Sequence, residues 1–373
     1  MMDFSYSDQQ NSLKELASKI LEKNTKKNLI KDLENSKTNF HKKLWNDFSK
    51  AGLLGASFRN SLGGSDLGFT EANIILEQLG YHIVNIPFIQ TIISTGMPID
   101  KFGSRILRET LIPKIVSGDT ILTFAFLEPD NEDIKNPNCK LKEIRGVKTI
   151  TGIKTCVSYG KEADFILIPC KKNRELYLIL IDTKSKGLKF NKLESTTREP
   201  QYLVELTETT IDDKLILASG SKAQDVADWI TLRTTTAICS LAVGVAQASL
   251  DLTVSYTKER KAFKRTIASF QAVSHRAADC YIDLACLRLV TEQAVSLLDL
   301  EKDANEEVSI AKIWCGDVAH RISHASQHLH GGIGVDRDYL LYRYCLWAKQ
   351  LELMLGSSTY HLNNVGTILA QSN

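Results

Sequence analysis

Apolar residues along the 373-residue chain change their period twice. Over roughly the first 120 residues they recur at helical spacing. Leu13, Leu16, Ile20 and Leu21 follow Ser7 or Asp8, either of which can cap a first helix. Leu44-Trp45 leads to Ala51-Gly52-Leu53-Leu54-Gly55, and a loop from Gly63 to Phe69 precedes a helix over Glu71 to Leu79. From about residue 121 the period shortens. Ile121 to Leu127, Thr149 to Val157, Phe165 to Ile168 and Leu176 to Ile181 read as strands between Gly, Pro and Asn punctuation. Helical spacing returns near 225–260, 268–298, 305–330 and 340–371, four segments that predict an antiparallel bundle. The pattern predicts an α+β chain in three parts: a helical N-terminal domain over 1–120, a β domain over 121–222 and a C-terminal four-helix bundle over 223–373.

One stretch, Val243 to Asp279, organises the rest. A long helix ends, a short break carries Lys258, Glu259, Arg260, Lys261, Lys264 and Arg265 around Phe263, and a second helix begins near Phe270. Such a cationic turn is either a solvated helix end or a cradle for phosphate, to which Arg makes paired hydrogen bonds. Gly331-Gly332, after Gln327-His328-Leu329-His330, is either a plain helix stop or a place where backbone amides come close to a ligand. The glycines at 63, 64 and 68 read as a structural turn more readily than as a phosphate loop. His320, His324 and His328 share a helix face with Asp317, but one straight helix cannot wrap a metal with them, and we expect a polar face and no metal.

Composition narrows the classes. The net charge of +2 argues against a nucleic-acid binder. No apolar run reads as membrane-spanning, and the opening MMDFSYSDQQ lacks the layout of a secretion signal. The eight cysteines form no Cys-x-x-Cys pair and sit mostly in apolar contexts, so the expectation is a reduced, cytoplasmic protein.

Tyr256, Arg260, Phe263, Ile267, Phe270-Gln271, His275 and Ala278-Asp279 together resemble the acyl-CoA dehydrogenase pattern Y-x-x-x-R-x-x-F-G-x-x-I-x-x-F-Q-x-x-x-H-x-x-A-D. Gln327 with Gly331-Gly332 and Gly334 matches the family's Q-x-x-x-G-G-x-G. Gly152-Ile153-Lys154 to Val157, followed by Ala163-Asp164, resembles its G-x-K-x-x-V…A-D strands. The resemblance covers essentially the whole chain and implies the family fold, with a central β-barrel or sandwich. It implies α,β-dehydrogenation of an acyl-CoA thioester, with FAD held across a subunit interface in a dimer or tetramer, and an acceptor such as electron-transferring flavoprotein. By resemblance, Arg260, Phe263, Gln271, Gln327, Gly331 and Gly332 contact FAD, as does Ser357, where the family has the Thr of E-G-T. Two departures stand out: Lys264 replaces the glycine after Phe263, and Asp130-Asn131-Glu132-Asp133 replaces the small residues of the flavin loop begun by Glu128-Pro129.

The family reaction needs a carboxylate base. At its two family positions this chain has Leu355 and Thr234, neither able to accept the proton. Three readings follow. The chain is a dehydrogenase with a displaced base, with Glu352 the nearest carboxylate and Asp228 a poorer one. Or it is one subunit of a hetero-oligomer whose paralogous partner supplies the glutamate, as in sterol side-chain enzymes of the family, which its L-G-S-S-T-Y-H segment resembles. Or it is a flavin-free scaffold of the same fold.

Overall fold

The computed structural model describes residues 4–25 and 40–371. Its helices are α1 (Asp8–Asn24), α2 (Lys42–Lys50), α3 (Phe69–His82), α4 (Met97–Phe102), α5 (Arg105–Val116), α6 (Gly220–Glu259), α7 (Gln271–Asp299), α8 (Asn305–His330), α9 (Leu341–Leu353) and α10 (Ser358–Gln371). Its strands are β1 (Leu122–Phe124), β2 (Lys140–Ile144), β3 (Val147–Ser158), β4 (Phe165–Lys172), β5 (Glu175–Asp182), β6 (Leu188–Leu193), β7 (Gln201–Thr210) and β8 (Ile216–Ser219), with a small hairpin of β9 (Lys261–Ala262) and β10 (Arg265–Thr266). The chain separates into two compact units, each assembled from distant stretches: Met1–Lys31, Phe69–Val84 and Thr235–Asn373 in one, Asp32–Gly68 and Asn85–Thr234 in the other.

The second unit holds the sheet, ordered β6-β7-β3-β2-β4-β5-β8, with β1 parallel to the start of β4. Alternate residues bury on one face, Ile166 and Ile168 on β4, Ile179 and Ile181 on β5, Tyr202, Val204 and Leu206 on β7. The strands expected from sequence do not include β2, β6, β7 or β8: charged residues and threonines fill the outward positions of the first three and dilute the apolar run, and β8 is only four residues long. Glu128 and Lys154, both buried, fasten the loop after β1 to β3. The Lys154 ammonium donates to Glu128 Oε1 at 2.8 Å, and the amides of Cys139 and Asn138 donate to the same carboxylate. Burial pushes the Glu128 pKa up, but the charge and hydrogen bond of Lys154 and the two amides outweigh it and leave the carboxyl below its ordinary range. The acidic residues 130–133 are exposed or half-buried and cap their own turn, Asn131 Oδ1 accepting from Asp133 N at 2.9 Å.

The first unit is helical. Residues α6 contributes to it run parallel to α8, since Ser249 Oγ meets Ser326 Oγ at 3.2 Å and, further along both helices, Tyr256 stacks on His330. Helix α7 runs antiparallel to α8, tied by Arg276 to His324 and by a two-pronged pair of Arg321 with Asp283 at 2.7 and 2.8 Å. Helices α3 and α6 cross at glycines: a Cβ on Gly80 would land on the Leu241 carbonyl, and one on Gly244 on that of Glu77. Asp299, at the end of α7, caps α3 from outside by accepting from Phe69 N and Thr70 Oγ1, both at 2.7 Å.

Two expectations need correction. The segment expected as one helix over 340–371 is two, because Met354 is extended and Leu355 and Gly356 take left-handed φ of 52° and 100°. And α6 is long and apolar enough to cross a membrane by length and composition. Its most apolar window is 78% buried within the protein, the signature of a core helix. All eight cysteines are free, and five are buried.

Candidate functional site

The cationic break after α6 folds into a definite shape. Arg260 N donates to Tyr256 O, and Ile267 N closes back on Arg260 O, both at 2.9 Å. Between them β9 and β10 pair Ala262 with Arg265 across a two-residue turn, Phe263 and Lys264, with φ of 52° and 64°. Consecutive positive φ at a two-residue hairpin is the type I′ pattern, usually given to Asn and Gly. Lys264 therefore occupies the conformation the family glycine would take, at a cost of roughly 1 kcal/mol. The turn presents Phe263 to solvent, 89% exposed, edge-on to Phe270 at 6.2 Å, while the Arg265 guanidinium lies 3.9 Å over the Phe270 ring. Arg260 and Gln271, the first residue of α7, are both exposed.

The end of α8 forms the second turn. Gly331 has φ 63° and ψ −141°, a region open essentially to glycine alone, and its amide donates to the Gln327 and His328 carbonyls. A Cβ on Gly331 or Gly332 would meet nothing within 4 Å. The glycines therefore leave an open backbone surface, and neighbouring side chains of this unit do not require them there.

What joins the two turns is an aromatic clamp that the sequence reading missed. Tyr256, one helical turn before Arg260, stacks on His330, the residue before Gly331, with centroids 4.4 Å apart. His330 Nδ1 lies 2.8 Å from Ser326 O, so it carries the proton and donates, and Nε2 accepts from the Tyr339 hydroxyl at 3.1 Å. Burial, partly opposed by the Ser326 bond, holds the His330 pKa below the ordinary value, which keeps the ring neutral. Thus Arg260, Phe263 and Gln271 on one turn and Gln327, Gly331 and Gly332 on the other are brought together within one unit. A cluster of exposed cations beside an open glycine backbone suits an extended dianionic group such as a pyrophosphate, and the exposed Phe263 ring suits a flat apolar one.

A third turn, between α9 and α10, carries Leu355, Gly356 and Ser357. The ammonium of Lys312, fully buried on α8, donates to the carbonyls of Leu351, Glu352 and Gly356 at 3.0, 2.9 and 2.9 Å. His361 Nε2 donates to Leu355 O at 2.9 Å, and burial, opposed by that bond and aided by the Lys312 charge, pushes its pKa down to about 4. Leu355 thus sits in a tightly held turn with no carboxylate of its own. The Glu352 carboxylate accepts from Lys349 at 2.6 Å. At the other family position, Thr234, in the sheet unit, is fully buried. Its hydroxyl pairs at 2.9 Å with Ser94 in the buried π-helical segment Ile89–Gly96. Asp228 is exposed and paired with Lys135. The histidine face of α8 is exposed, His324 being tied to Arg276, and no group of three metal-ligating side chains occurs among the described residues.

Fold and turns together define the class. The chain belongs to the acyl-CoA dehydrogenase family: the profile of the family's N-terminal domain matches residues 7–119 and that of its C-terminal domain residues 226–370. Members of this family are FAD-binding oxidoreductases acting on CH–CH groups. Acyl-CoA dehydrogenase FadE27 of Mycobacterium tuberculosis is 31% identical over 92% of each chain. The ChsE4–ChsE5 complex of the same organism superposes with a TM-score of 0.94 at 30% identity over 100% of each chain, and the Tcur3481–Tcur3483 steroid ACAD with 0.91 at 30% over 98% of each. The ChsE4–ChsE5 structure is a complex of unlike chains, which supports assembly with a paralogous subunit.

Proposed function

We propose that this chain is the base-lacking subunit of a hetero-oligomeric, FAD-dependent acyl-CoA dehydrogenase, cytoplasmic, acting on a sterol side-chain thioester. The single observation that carries the reading is the occupancy of both base positions by groups that cannot take a proton, Leu355 and a Thr234 whose hydroxyl is sealed against Ser94. A glutamate from a paralogous partner supplies the base. The steroid substrate rests on the likeness to the Tcur3481–Tcur3483 enzyme, and the cytoplasmic setting on the eight free cysteines.

In this reading Arg260 pairs with the anionic linker of FAD, Phe263 covers an apolar face, Gln271 and Gln327 supply amide hydrogen bonds, and Gly331-Gly332 admits close backbone approach. Ser357 offers a hydroxyl from the third turn. Bound FAD supplies the hydride acceptor, and electron-transferring flavoprotein or a similar carrier takes the electrons onward. The test is expression of the chain alone and with a neighbouring paralogue. A yellow complex only on co-expression supports the reading. A yellow lone chain bleached by acyl-CoA means a displaced base, and a colourless protein in both cases means a flavin-free scaffold.

A further inference from the structure

The hairpin between α6 and α7 carries a charge that nothing in this unit answers. Lys258, Arg260, Lys261, Lys264 and Arg265 place five cations in eight residues, all exposed, beside the single anion Glu259. None of the five makes a side-chain hydrogen bond or an ion pair with the described residues, and the Arg265 guanidinium lies over the Phe270 ring instead. Elsewhere in the same unit Arg288 meets Glu77 and Arg321 meets Asp283, both at 2.7 Å. Like charges this close repel one another, and a bound anion relieves them.

Within the cluster, folding accounts least for Lys264. It takes a φ of 64° at the second position of the turn, where glycine would carry no strain. Its side chain is exposed and returns no packing. The family pattern has glycine here, so what this chain gains from lysine is a charge on a flexible stem. Arg265 shares a hairpin face with its cross-strand partner Ala262 and is taken up by Phe270. Arg260 stands at the base of the hairpin, its backbone bonded to Tyr256 and Ile267. The linker of FAD is a pyrophosphate with two negative charges. A guanidinium meets one phosphate with paired hydrogen bonds and leaves the other for a second cation.

We infer, on the reading of this hairpin as part of an FAD site, that Lys264 is the second cation for the FAD pyrophosphate, at the tip of the hairpin whose base holds Arg260. It supplies charge where the family pattern has bare backbone, and local strain is traded for retention of the cofactor. The FAD dissociation constant of the co-purified complex is measured by ultrafiltration at about 50 and about 500 mM salt. Lys264→Gly removes charge and strain together, Lys264→Gln removes the charge alone, and Lys264→Arg keeps it. The Gly and Gln variants should bind FAD about fivefold or more weakly than wild type at the lower salt, with Lys264→Arg within about twofold. The gap should narrow at the higher salt, as a contact between exposed charges requires. The melting temperature of the full chain alone should be unchanged or higher in Lys264→Gly. Three results overturn this role: FAD held as tightly by the Gly and Gln variants as by wild type, a gap that is the same at both salt concentrations, or weaker binding in Lys264→Gly that comes with a lower melting temperature and is absent from Lys264→Gln. Arg260→Ala separates it from the reading beneath. If Arg260→Ala loosens FAD and the Lys264 variants do not, only the role of Lys264 falls. If none of these variants changes FAD binding, the hairpin is no part of the FAD site and both fall.

Discussion

Tyr256 and His330 lie face to face, their ring planes 19° apart and their centroids 4.4 Å apart, and this stack sets the distance between the end of α6 and the end of α8. Aromatic stacking of this kind contributes about 0.5–1.5 kcal/mol beyond burial. Here its position matters more than its size, because Arg260 lies one helical turn after Tyr256 and Gly331 directly follows His330. His330→Ala should leave the bundle folded, with a loss of about 1–3 kcal/mol in stability including the lost hydrogen bonds. It should strip most of the flavin from the purified complex, read as the ratio of visible to protein absorbance. Full flavin content in a folded His330→Ala complex would separate the clamp from cofactor binding.

Gly332 gives a sharper version of the same test. Since a Cβ there meets nothing within 4 Å, Gly332→Ala should change the melting temperature of the isolated chain by no more than a degree or two. A drop in flavin affinity of tenfold or more in the complex is expected, because the methyl group enters space reserved for the ligand.

Much of this was legible in the sequence, and the reasons are particular. Arg260, Phe263 and Gln271 crowd into one break between long helices, and Gln327 and Gly331-Gly332 close another, so spacing marks both breaks, while their reading as a cofactor site comes from the resemblance to the family. The Tyr256–His330–Tyr339 clamp was not legible, because its members come from different elements and each alone reads as an ordinary half-buried aromatic. Lys312 left a fainter signal, a lysine on the apolar stripe of Val308 and Cys315, which only its three carbonyl partners explain. Glu128 and Lys154 were each noticed as parts of separate segments, and their pairing needs the sheet. Leu355 is legible only as a position in the family's E-G-T segment and not as a helix break, because a leucine carries no compositional mark of positive φ.

Lys312→Met should be among the most damaging substitutions in the helical unit. It leaves the carbonyls of Leu351, Glu352 and Gly356 without their shared donor, at a cost of about 3 kcal/mol or more. Thermal or denaturant unfolding checks this, and Lys312→Arg should recover little, since the planar fork cannot meet three converging carbonyls in the space of an ammonium.

His361 predicts a pH dependence. Its folded pKa is lowered to about 4 from 6.5, so the unfolded chain takes up a proton first as pH falls. This contribution is fully present above about pH 6.5 and is lost progressively down to about pH 4, roughly 3 kcal/mol across the span. Glu128, whose folded pKa is depressed, contributes stability that is lost only at lower pH, as its carboxyl protonates below the ordinary carboxylate range. In His361→Gln the loss between pH 6.5 and 4 should shrink, while the steeper loss below it remains.

The central claim is that the proton acceptor comes from the partner. The most direct measurement is the rate of flavin bleaching when a steroid side-chain acyl-CoA is mixed anaerobically with the co-purified complex. We compare the wild type, Glu352→Gln in this chain, and glutamate→glutamine at the family base position of the partner. The account predicts a rate within about twofold of wild type for Glu352→Gln and a fall of at least 10³-fold for the partner variant. A collapse of the rate in Glu352→Gln, with the partner variant near wild type, would contradict it.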